Sequence, residues 1–523
     1  MLIFTRIFTT CLVPYIDRYC DTFDRRTYDT GVAYNANPEI KRTKRTEKTQ
    51  KGTAEIEEIR YKDFVLQKSV YRGTDGTRVK YFAEDIEDLK RLIIPLVIDQ
   101  VLARTVGMAD TMMISSVGEA AISGVSLVDM INMLINAVFA AVATGGAVIA
   151  SQYLGHRDRK KACEASSQLM VVTAVCALLF TVLSLAARKP LLSLLFGQID
   201  ADVMDAALTY LTVSALSFPF LASFNSSSAL FRAMNDSRTP TVVSLGMNVM
   251  NLIGNSILIF GMKWGVAGAA ISTLLSRVMA AAVMFALSLN RERQLYVRPD
   301  QMTRFQPTLI GQILYIGIPS GIENGIFELG RIVVVSMIST FGTVQIAANA
   351  VANNLDGLGV LAGAAMNLAI LTVVGRCVGA HDNDQVRYYT RKLLKIEYAM
   401  MAVVNVVLLA ALPLILNLYT LSPASRELAT QLIFIHDGFA MLLWPLALSM
   451  PNALRAANDV KFTMVLSIGS MVCFRIALSY VVGVRMGYGA LGVWFAMLVD
   501  WLFRAAVYTW RFEKGKWENM ARI

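Results

Sequence analysis

The sequence predicts an all-α membrane protein of twelve transmembrane helices, built as two six-helix lobes related by a pseudo-two-fold axis along the membrane normal. Three observations carry this. Of 523 residues, 55% are apolar and only 17% are charged, with a mean hydropathy of +0.50. That balance belongs to polytopic membrane chains rather than to soluble enzymes. From Leu92 onward, apolar segments of about 20 residues recur, the length a helix needs to cross hydrocarbon. The chain also repeats itself. Shifted by 224, Pro95 falls on Pro319, Ile114-Ser115 on Ile338-Ser339, Gly118 on Gly342, Ile122 on Ile346, Gly155 on Gly379 and Asp158 on Asp382. The run ALFRAMND at 229–236 answers NALRAAND at 452–459, and Gly265 and Gly268 meet Gly489 and Gly492. Six helices per repeat is an even number, so both halves enter the membrane from the same side, the parallel-repeat arrangement of secondary transporters.

Residues 1–88 precede this pattern and differ from it. They hold dense charge, including KRTKRTEK at 41–48, and the apolar run at 2–16 is broken by Arg6 and lacks a small-residue cleavage site. The segment reads as a charged, flexible cytoplasmic extension rather than a signal peptide. A start codon placed too early would also account for it, and its basic cluster suits weak attachment to anionic headgroups. The predicted spans follow near 92–115, 122–150, 165–187, 204–230, 240–262 and 266–290, then 312–337, 343–375, 393–419, 429–454, 462–484 and 489–512. They divide the chain into an N-lobe at 89–305 and a C-lobe at 306–523, the latter with a short cytoplasmic tail.

Loop charge sets the orientation. The loops after predicted helices 2, 4, 6, 8 and 10 carry seventeen Lys and Arg, among them Arg157, Lys160, Arg291, Arg376 and Arg455. The opposite loops hold five: Arg188, Lys189, Lys263, Arg426 and Arg485. This places both termini in the cytoplasm of a cell-membrane protein. It also accounts for the net charge of +10 without nucleic acid. The six cysteines form no CxxC pair and the three histidines no HExxH, so neither a disulfide framework nor a catalytic zinc is expected.

Charges inside spans are costly and mark functional or paired sites. Predicted helix 1 carries Asp99, Arg104 and Asp110; Asp99 and Asp110, eleven residues apart, share one helix face. Asp129 and Arg277 follow in the N-lobe, then Glu323, Glu328, Arg331, Asp356, Arg475 and Asp500 in the C-lobe. Glu328 and Arg331 are spaced to neutralise each other. Asp500 and Arg504 read as a structural pair near the interface, and Arg104 as a partner for an acid on another helix, with Asp129 a candidate. Asp99 falls on Glu323 under the repeat, which points to equivalent packing or gating roles. Asp110 falls on Val334 instead, and an acid present in one repeat only speaks for function over scaffold. Near it in the same half stand Asn248, Asn251 and Asn255 on predicted helix 5 and Ser272 and Thr273 on helix 6. Such oxygens suit Na⁺, and an isolated acid suits H⁺. Amides and hydroxyls also serve simply as interhelical hydrogen-bond partners. The 26 methionines suit an adaptable lining as well as ordinary core. The GxxxG runs at 321–325 and 359–363 fit close helix packing and say little about activity. No GxxxxGK[ST] occurs, so energy would come from an ion gradient.

Several stretches together resemble the multidrug and toxic compound extrusion (MATE) family. They are VGMADTMMISSVGEAAISGVSLVD, ATGGAVIASQYLG, FRAMNDSRTP, GIPSGIENGIFELGR, LTVVGRCVGAHD and LRAANDVKF. The likeness runs from about Phe82 to Trp510. It implies two lobes and antiport of organic, usually cationic, xenobiotics or metabolites against H⁺ or Na⁺ by alternating access. Asp110 stands where the family keeps its helix-1 acid. The family's Asn-x-x-x-Asp on helix 5 reads here Asn251-Leu-Ile-Gly-Asn255, so the second acid is missing, which tilts the coupling ion toward H⁺ with Na⁺ at the Asp110 site as the alternative. The hydroxyl on helix 6 would be Thr273. Some members use an acid on helix 7, a place for Glu323 or Glu328, and another late on helix 10. There this chain has Trp444-Pro445 and no acid.

The expectation is therefore a cation-coupled exporter of a small organic molecule, a monomer in membrane lipid, with no nucleic-acid partner, no metal and no cofactor beyond the coupling ion. Two other classes compete. A lipid-linked oligosaccharide flippase of the wider superfamily would line its cleft with arginines, but Arg104, Arg277 and Arg475 are scattered. An intramembrane enzyme would need a nucleophile–base or metal constellation, and none of the three histidines sits near a cluster of ligands in the sequence.

Overall fold

The computed structural model describes residues 41–49, 52–61, 64–73, 76–81, 86–196, 200–417, 419 and 421–520. The apolar run at 2–16 and the rest of the first forty residues lie outside these. The chain divides into two units, Met1–Leu92 and Ile93–Ile523. In the first, β1 (Lys41–Thr49), β2 (Gly52–Tyr61), β3 (Phe64–Gly73) and β4 (Gly76–Tyr81) form an antiparallel sheet in the order β1-β2-β3-β4. Lys41 pairs with Arg60, Phe64 with Tyr61 and Gly73 with Gly76. These strands fall within the charged extension at 1–88. The dense charge masked the Thr, Val, Ile and Tyr that recur through these stretches and favour strands.

Every membrane element is helical, as expected in a solvent that cannot satisfy backbone polar groups. The N-lobe comprises α1 (Ile86–Ser115), α2 (Glu119–Gly155), α3 (Arg159–Ala186), α4 (Ala201–Ala233), α5 (Arg238–Asn255, prolonged by a wider π turn at Ser256–Gly261) and α6 (Gly265–Ser288). The C-lobe comprises α7 (Pro307–Ser339), α8 in two pieces (Thr343–Gly359 and Leu361–Gly379), α9 (Asn383–Leu416), α10 (Pro423–Ala456), α11 (Val460–Arg485) and α12 (Gly489–Glu513). Among the described residues, eleven helices are long and apolar enough to span a membrane. The twelfth, α7, runs for 33 residues and carries Glu323, Glu328 and Arg331. Side chains such as Val175, Leu179, Val182 and Leu183 on α3 and Leu414 on α9 are exposed, as lipid-facing positions should be.

The starts of α3 and α9 follow from capping. Asp158 accepts from Lys161 N and its repeat mate Asp382 from Gln385 N, each satisfying a free amide of the first turn. The break in α8 at Val360 departs from the single span expected at 343–375. The run Asp356-Gly-Leu-Gly-Val-Leu-Ala-Gly363 is poor in helix propensity. Asn405 on α9 donates its amide to the Gly359 carbonyl at 3.2 Å and so occupies an acceptor at the break.

The lobes meet at the end that carries the basic loops, and the meeting is symmetric. Gln152 on α2 donates to the Ala456 carbonyl at 2.8 Å. Its repeat mate Arg376 on α8 donates to the Ala233 carbonyl through Nε (3.0 Å) and Nη2 (2.6 Å). Gly155 packs against the Arg376 backbone and Gly379 against that of Gln152, so close that a Cβ at either would collide with a carbonyl oxygen. His156 and His381 stack edge to face at 5.4 Å beside them. At the opposite end the residues around Gly118 and Gly342 are exposed. Gly155→Leu and Gly379→Leu should each cost about 1–3 kcal/mol through overpacking. A thermal melt in detergent reads this, and an unchanged midpoint would contradict the close approach.

Candidate functional site

Asp110 sits three quarters of the way along α1, facing α5 and α6. The Asn255 amide donates to its Oδ1 at 2.8 Å. In the amide orientation that turns the Asn251 nitrogen toward Asp110, it donates to both carboxylate oxygens (2.8 and 3.1 Å), and its own oxygen lies 3.1 Å from Thr273 Oγ1. Ser272 donates to the Asn251 carbonyl at 2.8 Å, tying α6 to α5. Asn251 and Asn255 lie one turn apart on the buried face of α5, and Asn255 is the last residue before the helix widens into its π turn. Such turns are frequent at functional sites. The structure thus brings together Asp110, Asn251, Asn255 and Thr273. Asp129, Arg277 and Tyr210 lie within electrostatic reach of the same carboxylate. Among the described residues Asn248 takes no part in this network, and Arg277 is anchored by donating to Ser217 at 2.6 Å.

Asp99 and Glu323 occupy matching networks. Glu323 accepts from Arg455 at 2.6 Å and from Ser467. Asp99 faces Arg232 and Ser244, which are the residues 223 positions before Arg455 and Ser467. Each lobe therefore repeats one triad of acid, arginine and serine, drawn from its first, fourth and fifth helices. Glu328 pairs with Arg331 at 3.2 Å, as the spacing predicts.

Three expectations need correction. Arg104 does not pair with Asp129. It is exposed on α1, and its guanidinium reaches across to Gly357 of α8, whereas Asp129 accepts from Asn132 at 3.3 Å. Helical spacing identifies partners along one helix, not across the cleft. Asp500 and Arg504 do pair, at 2.9 Å, but in the C-lobe interior rather than near an interface, at 0% and 2% side-chain exposure.

The third concerns the C-lobe, which is richer in ionisable groups than the sequence suggests. His436 on α10 lies between Asp356 on α8 (Nε2–Oδ1 2.9 Å) and Asp437 (Nδ1–Oδ1 2.9 Å). Trp494 and Trp501 pack edgewise on the imidazole at 5.3 and 5.0 Å. Nearby, buried Glu397 on α9 accepts from Ser449, and Trp444 packs on Trp501 at 5.4 Å. The ligand atoms of Asp356, His436 and Asp437 lie within 4.8 Å of one another. Both ring nitrogens already face carboxylates, however, an arrangement made for hydrogen bonds rather than for ligating one ion at about 2 Å. The visible signal was the dipeptide His436-Asp437 inside an apolar span; its partner Asp356 is too distant in sequence for periodicity to find.

The MatE family profile matches the chain twice, over residues 95–257 and 319–481, windows separated by the 224 residues of the internal repeat. The uncharacterized transporter YisQ of Bacillus subtilis is 28% identical over 455 residues, covering 85% of this chain and 98% of that one. A probable multidrug resistance protein NorM of Thermotoga maritima is 26% identical over 449 residues, covering 83% and 94%. Among solved structures, an outward-facing multidrug resistance MATE family transporter of the MOP superfamily aligns with a TM-score of 0.76 at 19% identity, over 83% of this chain and 99% of that one. A MOP superfamily transporter from Pyrococcus furiosus gives 0.77 at 19% identity, over 84% and 97%. These two likenesses bear on the fold, and they carry the two-lobe architecture.

The buried Asp500–Arg504 pair gives a direct check on C-lobe energetics. Asp500→Asn should cost about 3–5 kcal/mol, because it leaves a buried guanidinium uncompensated. Replacing both residues with apolar ones should recover much of that loss in a thermal melt.

Proposed function

The chain belongs to the MATE family of multi-pass membrane transporters, and from that membership we propose that it is an H⁺-coupled antiporter that exports small organic, cationic compounds by alternating access. In this reading Asp110 alternates between a proton and the departing substrate, and Asn251, Asn255 and Thr273 hold it in place. The observation that carries it is the approach of both amides to the Asp110 carboxylate at 2.8 Å. With Asn251 turned to its hydrogen-bonding orientation, amide nitrogens face the acid, and direct contact leaves no ion-sized gap. A Na⁺ ion would need those amides turned and oxygen ligands gathered around it. Asn255 also stands where a second carboxylate would raise the site's negative charge and favour a metal cation.

The lobe contact supports alternating access. The lobes are joined at the basic-loop end and exposed at the other, so Asp110 lies on the side away from the contact. With the basic loops in the cytoplasm, this is an outward-open arrangement in the cell membrane, both termini lie inside, and the working unit is a single chain in lipid.

The test uses purified protein in liposomes loaded with a fluorescent organic cation, under a pH gradient or a Na⁺ gradient imposed separately. The pH gradient should drive dye movement in the wild type, and Asp110→Asn should reduce it at least tenfold. Movement driven only by Na⁺ would replace H⁺ as the coupling ion. Movement that survives Asp110→Asn would remove Asp110 from the coupling role.

A further inference from the structure

We propose that Asp356, His436 and Asp437 form a second proton-binding site in the C-lobe, built at the break of α8 and distinct from the Asp110 cluster. The argument begins with counting hydrogens. His436 Nδ1 is hydrogen-bonded to Asp437 Oδ1 at 2.9 Å, and Nε2 lies 2.9 Å from Asp356 Oδ1, off the line of a hydrogen bond. At that distance a bare ring nitrogen would set its lone pair against a carboxylate's, so each contact calls for a hydrogen. A neutral imidazole supplies one and an ionised carboxylate none. The triad therefore holds one proton more than a neutral histidine between two ionised acids, carried either on the ring or on a carboxylate.

Its surroundings make that proton costly to lose without movement. His436 and Asp437 are buried at 1% and 0% exposure, and Asp437 Oδ2 has no hydrogen-bond partner among the described residues. Asn405 Oδ1 is also buried without a donor. It and Asp437 Oδ1 converge on Gly359, where a Cβ would meet both. Taking the proton away would leave two ionised acids in a pocket walled by Trp494 and Trp501, and an uncompensated buried charge costs several kcal/mol.

Two features tie the triad to motion and to the cleft. Asp356 and Gly359 end the first piece of α8, and irregular backbone inside a membrane protein is tolerated where it lines an ion or solute site. Asp356 is the most exposed of the three, at 24% for its side chain, so it is the natural door for the proton. The charged groups around the ring are few. α8 supplies Asp356 and α10 Asp437; Arg475 on α11 acts electrostatically on Asp356. α12 presents the self-paired Asp500 and Arg504, and α9 contributes Glu397, held by Ser449. Across the cleft, Arg104 of α1 rests beside Gly357.

The test is ¹⁵N NMR of the full-length chain, labelled at histidine, in lipid nanodiscs at pH 7.5 without substrate, with ¹³C spectra of the aspartate carboxyls. His156 and His381 are assigned by His156→Gln and His381→Gln. The remaining imidazole should show both N–H signals, or one with a protonated aspartate carboxyl beside it. Asp437→Asn, which preserves shape, should remove one proton from this count, and Asp356→Asn should do the same. A neutral ring with both acids ionised would overturn the proposal, as would a count unchanged in both variants. Because the readout needs no transport, it stands or falls separately from the role of Asp110.

Discussion

A polar group held inside hydrocarbon must find its partner within the protein, and most of this structure can be read as the consequence. Asp99 meets Arg232 and Ser244, Glu323 meets Arg455 and Ser467, and Asp500 meets Arg504. Each pairing fixes one helix against another more specifically than apolar contact does. In a bilayer the apolar faces gain little by choosing a protein neighbour over a lipid tail. Small residues then set how near the helices come, as Gly155 and Gly379 do where the lobes meet.

Symmetry separates scaffold from chemistry. The acid–arginine–serine triads occur in both lobes at an offset of 223 or 224 residues, and so do the reciprocal contacts from Gln152 and Arg376 to the far lobe's backbone. Duplicated features of this kind build the frame about which the lobes can rock. The Asp110 cluster belongs to the N-lobe alone, since Val334 occupies the matching place. The Asp356–His436–Asp437 triad belongs to the C-lobe alone. At each of these two unsymmetric places acids stand close together or beside neutral amides, where a movable proton can offset charge.

Much of this was legible in the sequence. Twelve spans and the repeat followed from hydropathy and a constant offset, and the Asp110 group stood out because Asn251 and Asn255 share one face of an otherwise apolar helix. What stayed hidden was contact between distant segments. Nothing in local spacing sends Arg104 to Gly357 or joins His436 to Asp356. The break in α8 was foreshadowed by Gly357, Gly359 and Gly363, yet hydropathy runs through it undisturbed. The strands at 41–81 were obscured by charge, because composition weighs residues without regard to their pairing.

The central claim is that Asp110 exchanges a proton for substrate. Protons released on saturating binding of an exported organic cation can be counted by calorimetry in Na⁺-free buffers of differing ionisation enthalpy. The account predicts that the wild type releases one proton more per bound molecule than Asp110→Asn does. Equal counts in the two proteins, with binding intact in both, would contradict it.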